Sequence, residues 1–382
     1  MNVEQASHLT RREVLQATTA SLVLGGAASA ADEPKQFNLW AFGDAHVGTD
    51  LKKNRESLAD ALRQSEANFT WDIALNVGDL SGGVHQSPDD AEGEAMLKQF
   101  AVLKKHKREA IYDIAGNHDR NAVGEPEASW FRKWVDPTGE NTKTSRVDPK
   151  ERPYPITGTW ERYTIRVGNL LFLMMSDRNE PTRKIGRGKL SGNPGGVVTG
   201  ETFAWWRDLV EANPKSIILS AHHYVLKNTT VASGEWEGMT KKPDGTWSGN
   251  YHGYFEQGTP IGASYLFWGD SKPDAQLFEK YLADHPAATA LWFGGHTHTN
   301  PDDAYGKKSH IETKWGTHFL NVSALTAHHG RNSVPMSRLL TFTEGSDEVR
   351  VRCWMHTKQF APQGWYARAE RVLKLPRAFQ MG

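Results

Sequence analysis

The sequence is almost without cysteine: Cys353 is the single one among 382 residues. One thiol cannot form an intramolecular disulfide or build a thiolate metal cage. The chain also lacks net charge, because 45 lysines and arginines balance 45 aspartates and glutamates. Broad attraction of nucleic acid requires a positive surface field. This composition therefore excludes a disulfide scaffold and disfavours nucleic-acid binding, although a local basic groove stays compatible with it.

Long apolar runs are absent as well, since no stretch reaches the roughly 20 residues of a membrane-spanning helix. The short apolar stretch Ala17–Gly26 follows the pair Arg11-Arg12 and precedes the small residues Ala28-Ser29-Ala30. This arrangement resembles a twin-arginine export signal with its cleavage site. We predict a signal peptide over residues 1–30, export by the twin-arginine (Tat) translocase and a periplasmic or otherwise extracytoplasmic location. No cysteine directly follows the signal, so we expect no lipid or other membrane anchor.

Strand-like and helix-like segments alternate along the rest of the chain, which predicts a layered α/β fold with two packed sheets and outer helices. Short apolar runs predict strands at Phe37–Phe42, Ile73–Val77, Ala110–Ile114, Tyr163–Val167, Leu170–Met175, Ser216–Ser220 and Thr289–Phe293. Later strands of the second sheet are expected at Phe319–Ala324, Arg338–Phe342 and Val349–Met355. A helix is predicted over Leu51–Asn68, with Asp50 as its N-cap.

Residues 31–382 are predicted to form a single domain that carries two long insertions, about 120–160 and 227–273. The first insertion holds Trp130, Phe131 and Trp134 as a local apolar anchor, and the second is rich in glycine and aromatic residues. Connections of this length are uncommon unless they are functional. The aromatic residues of the second insertion suit a stacking wall for a base or sugar, or a small core of its own.

Five strand-like runs are each followed at once by a metal-ligand type of residue. The five blocks are Asp44-Ala45-His46, Asp79, Asn117-His118, His222-His223 and His296-Thr297-His298. Ligands collect at the carboxyl ends of strands in open α/β sheets, where the loops converge on one crevice. Each block alone is a weak signal, but their order and their place after strands predict one shared metal site.

These blocks resemble the calcineurin-like metallophosphoesterases over about Phe37 to Val322. The resemblance implies a four-layer αββα sandwich and a dinuclear metal centre. It implies that Asp44, His46 and His298 hold one ion, that Asn117, His222 and His296 hold the other, and that Asp79 bridges them. Carboxylate, imidazole and amide ligands without thiolate suit Zn, Mn, Fe or Co.

The chemistry expected of such a centre is hydrolysis of phosphate esters by metal-activated water. His118 is our candidate for the acid that protonates the leaving alkoxide, with Asp119 orienting its ring. A phosphate-positioning role for His118 is the alternative. The roles of His223, Arg120 and the His328-His329 pair stay open.

The predicted function is an exported phosphoesterase acting on a small-molecule phosphate ester, with monoester or diester preference undetermined. The alternatives are a nuclease and a metal-binding scaffold of the same fold without catalysis. Two departures from the family stand out. The segment Gly78-Asp79-Leu80-Ser81-Gly82 has no tyrosine at the position where purple acid phosphatases carry their iron-binding phenolate, and Tyr224 follows the histidine pair where many relatives have proline. An Fe(III)-tyrosinate site of that subclass is therefore not expected.

Overall fold

The computed structural model describes most of the chain beyond the predicted signal peptide. Its residues are 34–82, 89–119, 129–178, 198–234, 277–327, 333–357 and 362–382, with the short segments 239–241, 243–245, 247–249, 255–256, 259–260 and 265–266. The predicted signal over 1–30, Arg120 and the His328-His329 pair lie outside the described residues.

Short strands make up most of the regular structure. In chain order they are β1 Gln36–Phe42, β2 Ile73–Asn76, β3 Ile111–Asp113, β4 Thr157–Gly158, β5 Arg162–Val167, β6 Leu170–Met175, β7 Ile217–Ala221, β8 Val225–Leu226, β9 Met239–Lys241, β10 Trp247–Gly249, β11 Phe255–Glu256, β12 Thr259–Pro260, β13 Tyr265–Leu266, β14 Leu291–Gly294, β15 Ile311–Lys314, β16 Thr317–Asn321, β17 Met336–Thr343, β18 Glu348–Met355, β19 Gly364–Trp365 and β20 Arg371–Lys374. The α-helices are α1 Val47–Leu51, α2 Ser57–Asn68, α3 Asp90–Phe100, α4 Thr142–Ser145, α5 Gly200–Ala212 and α6 Leu277–Asp284.

Two mixed sheets form the centre of the fold. The first has the order β19-β18-β17-β1-β2-β3, with β20 also paired to β18, and the second has the order β15-β16-β14-β7-β6-β5-β4. Strands β1, β2 and β3 run parallel, as do β6, β7, β14 and β16. The strands that precede the ligand blocks are thus the parallel ones of each sheet.

The two sheets pack face to face, and helices cover their outer faces. Along β1, Leu39 points into the apolar core between the sheets, whereas Trp40 points into the outer core beneath α2 and α3. This alternation follows from the two-residue period of a strand. On the other side, Trp206 of α5 packs with Trp292 of β14 in a separate outer core. The layers are therefore helix, sheet, sheet and helix, as the family resemblance implied.

Two sequence expectations about the fold were wrong. Strands β17 and β18 belong to the first sheet, because β17 pairs antiparallel with β1, with Leu340 opposite Leu39. The N-cap residue of the helix that ends at Asn68 is Glu56 and not Asp50, although the Asp50 carboxylate accepts from the Ser57 amide at 3.3 Å. Asp50 lies in the short helix α1, and its buried carboxylate pairs with Arg55 at 2.9 Å. The chain turns at Asn54, whose φ of 52° breaks the helix before α2 begins at Ser57.

The described part of the first insertion packs against helix α3. Trp130, Phe131 and Trp134 are buried in the core beneath the first sheet, rather than in a core of their own. The indole of Trp134 lies directly over Gly93, where any Cβ would come within 2.2 Å of the ring. In the described residues, no helix is long and apolar enough to span a membrane.

Candidate metal centre

The five sequence blocks lie at the carboxyl ends of five parallel strands. Asp44 and His46 follow β1, Asp79 follows β2, Asn117 and His118 follow β3, His222 and His223 follow β7, and His296 and His298 follow β14. Hydrogen bonds join the loops: the Asp44 amide donates to Gly78 O at 2.8 Å, and the Gly295 amide donates to His223 O at 2.8 Å. The prediction that these blocks converge at one edge of the sandwich is confirmed.

One cluster within this centre combines Asp44, His46 and His298, all nearly inaccessible to solvent. His298 Nε2 lies 2.7 Å from Asp44 Oδ1 and 3.2 Å from His46 Nε2. Two ligand atoms that each bind one ion at about 2.1 Å stand roughly 3 Å apart when they subtend a right angle. The three side chains therefore have the spacing and chemistry of ligands to a shared ion.

Asp79 lies between this cluster and the rest of the centre. Its Oδ2 is 3.1 Å from His223 Nε2, 3.8 Å from His46 Nε2 and 3.9 Å from His118 Nε2. Among the described residues, this buried oxygen and His223 Nε2 make no aligned hydrogen bond. A carboxylate oxygen surrounded by imidazole nitrogens is suited to bind a cation, and its central place fits the bridging role predicted for it.

The two adjacent histidines after β7 have different surroundings. His223 Nδ1 is 2.9 Å from Val77 O, and this contact aims its Nε2 at Asp79. A ligand histidine is commonly held by such a bond from its other nitrogen to a carbonyl. His222 Nδ1 lies 3.0 Å from the Tyr224 amide and 3.3 Å from the Tyr224 carbonyl oxygen, so either ring nitrogen can carry the proton. The structure therefore brings His223, with His296 and Asp79, into the cluster, and the ligand role of His222 stays a prediction.

The backbone of the centre is held in an unusual conformation. Five of the seven predicted ligands, which are Asp44, His46, Asp79, His296 and His298, have φ between 44° and 65°. Residues other than glycine adopt this left-handed region at a cost of order 1–3 kcal/mol, and they concentrate at functional sites. Backbone strain at several of the loops that carry the predicted ligands supports a functional role for the edge of the sandwich where these loops meet.

Close approach of the loops also requires two glycines. A Cβ at Gly116 would stand 2.2 Å from Asp79 Oδ1, and one at Gly295 would stand 2.3 Å from Asp44 Oδ2. Asp44 also accepts from the His296 amide at 3.1 Å, so its carboxylate joins the loops of the two sheets. Glycine at these two positions lets the backbone pass directly beside the carboxylates.

Asp119 does not orient the ring of His118, contrary to our prediction. Among the described contacts, its Oδ2 accepts from the amides of Asp79 and Gly116, and its Oδ1 accepts from the amide of Ser81, each at 2.8 Å. Because both oxygens are engaged by backbone donors, Asp119 holds the loop after β2 against the loop after β3. Burial and the charge of Asp79 raise the pKa of Asp119 to about 7.

His118 nevertheless lies beside the predicted bridging carboxylate. Its amide donates to Asp79 Oδ1 at 2.8 Å, and its ring meets that of His46 edge-on at 4.7 Å. The residue is 4% exposed, as is His298. The backbone hydrogen bond, rather than Asp119, fixes the position of His118 relative to the predicted bridging carboxylate.

Glu92 is a residue of this centre that sequence reasoning missed. From helix α3, its Oε1 accepts from the amides of Gly48 and Gly82 at 2.8 and 2.7 Å. It thereby joins the segment after His46 to the one after Ser81, whose carbonyl contacts His46 Nδ1 at 3.0 Å. No local motif marks Glu92, because its partners lie on other loops.

The ionisable groups of the centre stabilise positive charge. Burial opposes protonation of His223, yet the carboxylates of Asp79 and Asp44 raise its pKa to about 10. Burial alone would raise the pKa of Asp79, but His223 and His118 hold that pKa well below its ordinary value. A site that stabilises protonated imidazole beside ionised carboxylates offers the same field to a metal cation. The residues present therefore fit divalent ions.

Comparison with known proteins bears on this centre directly. The profile of the calcineurin-like phosphoesterase family matches residues 37–300, a span that includes all seven predicted ligands. No curated protein sequence matches the chain.

Similar solved structures include a conserved uncharacterised protein, a predicted phosphoesterase, from Streptococcus pneumoniae, with 9% identity, a TM-score of 0.34 and coverage of 89% of this chain and 98% of that chain. GAP50, the anchor in the inner membrane complex of Plasmodium, has 12% identity, a TM-score of 0.45 and 90% coverage of both chains. A Vps29 single mutant from Entamoeba histolytica has 11% identity, a TM-score of 0.33 and coverage of 88% and 99%.

Proposed function

The chain belongs to the calcineurin-like phosphoesterase family, and we propose that it hydrolyses phosphate esters with two divalent metal ions bound in the candidate centre. The observation that carries this proposal is the place of Asp79, whose buried Oδ2 faces the Nε2 atoms of His46, His118 and His223 at 3.1–3.9 Å. An anionic centre ringed by imidazoles is suited to hold cations, and phosphoryl transfer depends on positioned positive charge.

The proposed ligand sets follow the two sides of Asp79. Asp44, His46 and His298 would hold one ion, and Asn117 and His296 would hold the other together with one histidine of the His222-His223 pair. Two ions at such a centre activate water as the nucleophile and neutralise charge on the phosphate. Zn, Mn and Fe all suit this mixture of carboxylate, imidazole and amide ligands.

We propose that His118 delivers a proton from Nε2 to the leaving alkoxide. That nitrogen faces Asp79 Oδ2 at 3.9 Å, so it borders the region in which a bound phosphate would sit. Asn in place of His118 should leave bound metal unchanged while slowing hydrolysis most for esters with poor leaving groups. If this variant slowed hydrolysis equally for esters with good and poor leaving groups, His118 would position phosphate and would not donate the proton.

A panel of esters, assayed with Mn²⁺, Zn²⁺ and Fe²⁺, tests the proposed reaction and its substrate class. The metal-loaded protein should hydrolyse p-nitrophenyl phosphate, bis(p-nitrophenyl) phosphate or both, and the ratio reports monoester or diester preference. Asp79→Asn should lose both ions and nearly all activity, because it removes the bridging charge.

Other results of the same panel favour the alternatives. Cleavage of DNA without cleavage of small esters would make the protein a nuclease, which its lack of net charge disfavours. Two bound ions with no turnover on any ester would favour a non-catalytic scaffold. Normal turnover by Asp79→Asn would refute the centre itself.

We propose further that the protein is exported by the Tat translocase to the periplasm. The support is the sequence alone: Arg11-Arg12, the apolar stretch Ala17–Gly26 and the small residues Ala28-Ser29-Ala30 that predict cleavage before Ala31. Replacing Arg11 and Arg12 together by lysine should retain the protein in the cytoplasm. Unchanged periplasmic recovery of this variant on cell fractionation would refute the route.

A further inference from the structure

Tyr224 is a fully buried residue whose side chain touches predicted ligands of the second ion on two other loops. It follows His223 directly and lies between strands β7 and β8. Its hydroxyl contacts Asn117, from the loop after β3, and its ring contacts His296, from the loop after β14. A single side chain thus joins ligand loops of the two different sheets.

The first contact concerns the amide of Asn117. Tyr224 OH donates to Asn117 Oδ1 at 3.0 Å. An amide oxygen has two acceptor positions, so one remains for a cation when the hydroxyl occupies the other. The bond therefore orients the one atom of Asn117 that can bind a metal.

The second contact concerns the ring plane of His296. The rings of Tyr224 and His296 stack with centroids 3.9 Å apart and an angle of 27° between their planes. Tyr224 also meets the ring of His223 edge-on at 5.4 Å. A histidine binds a metal along the plane of its ring, so a neighbour that fixes this plane fixes the direction of the ligand nitrogen.

We propose that Tyr224 is a positioning residue for the second metal ion, acting through the Asn117 amide by its hydroxyl and through the His296 ring by stacking. This inference rests on the proposed function, since it assumes that Asn117 and His296 bind an ion. Tyr224→Phe keeps the stack on His296 and removes the hydrogen bond to Asn117, so this variant isolates the contribution of the hydroxyl to affinity for that ion.

The test is titration of Mn²⁺ into metal-free protein, with free Mn²⁺ followed by its electron paramagnetic resonance signal. Tyr224→Phe should bind the first ion as the unaltered protein does and the second about tenfold more weakly, the lower end of the effect of outer-shell partners on metal affinity. Tyr163→Phe is the matched control, because Tyr163 is equally buried and its hydroxyl donates to Asp113 O at 2.8 Å, away from the predicted ligands. It should bind both ions with unchanged affinity.

Distinct results separate the inference from the proposed function. If the unaltered protein binds two ions and Tyr224→Phe binds both equally well, the positioning role fails while the phosphoesterase proposal stands. A matching loss in Tyr163→Phe, or equal weakening of both ions in Tyr224→Phe, would also overturn the role. Failure of the unaltered protein to bind a second ion would refute the dinuclear centre instead.

Discussion

The two sides of the candidate centre are built differently. On the first-sheet side, which carries Asp44, His46, Asp79 and Asn117, buried carboxyl groups hold the loops. Asp119 accepts three backbone amides and Glu92 accepts two, all within 2.7–2.8 Å. This side gains its rigidity from acidic residues that are not themselves predicted ligands.

On the second-sheet side, which carries His222, His223, His296 and His298, neutral groups hold the loops, together with the Asp44 carboxylate that reaches across to the His296 amide. Asn321 donates to the hydroxyl of Thr297 at 2.6 Å, between the two ligand histidines, and Tyr224 stacks on His296. Negative charge is therefore concentrated on the first-sheet side of the centre. Imidazoles supply the other side, so cations bound between them would be attracted mainly by the first sheet.

The largest losses of bound metal and activity are expected from substitutions in the His222-His223 pair on the second-sheet side. His223→Gln should lose bound metal and at least about 100-fold in activity, because it removes the nitrogen that faces Asp79. Substitution of a residue that only supports a ligand typically lowers metal affinity or activity about 10–100-fold, so loss of a ligand itself should lower them further. His222→Gln should cost less than about tenfold by the same scale. Metal analysis and turnover on p-nitrophenyl phosphate measure both. If His222→Gln is the damaging change, the ligand set implied by the family motif is right and the geometry of His223 does not reflect metal binding.

The same pair shows where sequence reasoning reaches its limit. The blocks were predictable because each stands directly after an apolar run, and parallel strands bring such positions to one edge. Adjacent residues, however, point in opposite directions along extended chain. Which of His222 and His223 faces Asp79 depends on where β7 ends and the turn begins, and no residue type at these positions decides that.

A smaller effect is expected from loosening the first side at Glu92. Glu92→Ala leaves the amides of Gly48 and Gly82 without their carboxylate acceptor, so the free energy of unfolding should fall by about 2 kcal/mol. Urea denaturation of metal-free protein measures this change. Glu94→Ala is the matched control on the exposed face of the same helix and should change stability by less than about 0.5 kcal/mol. Equal effects of the two substitutions would show that the first side does not depend on this carboxyl group.

Long-range partners explain most of what the sequence did not predict. Glu92 meets Gly48 across 44 residues, and Asp119 meets Asp79 across 40. Contacts of this kind leave no local pattern, so Glu92 was missed and Asp119 was assigned to its neighbour His118. For the same reason β17 was assigned to the wrong sheet. Its apolar pattern predicts a strand, but its pairing with β1 joins segments about 300 residues apart in sequence and leaves no local pattern.

The smallest expected effect concerns the neutral network of the second side. His310 is buried, and its Nε2 lies 2.6 Å from the hydroxyl of Thr299. Burial and the charge of Arg338 hold the pKa of His310 well below 6.5. The unfolded chain therefore binds a proton that the folded state does not, and stability is lost as the pH falls below about 6.5, by at most about 1.4 kcal/mol per pH unit. His310→Gln should make this loss shallower when unfolding of metal-free protein is compared at pH 7 and pH 5. His285 is exposed, so His285→Gln should lose as much stability between pH 7 and pH 5 as the unaltered protein does. An equal loss of stability in all three proteins would mean that His310 is protonated within the folded network.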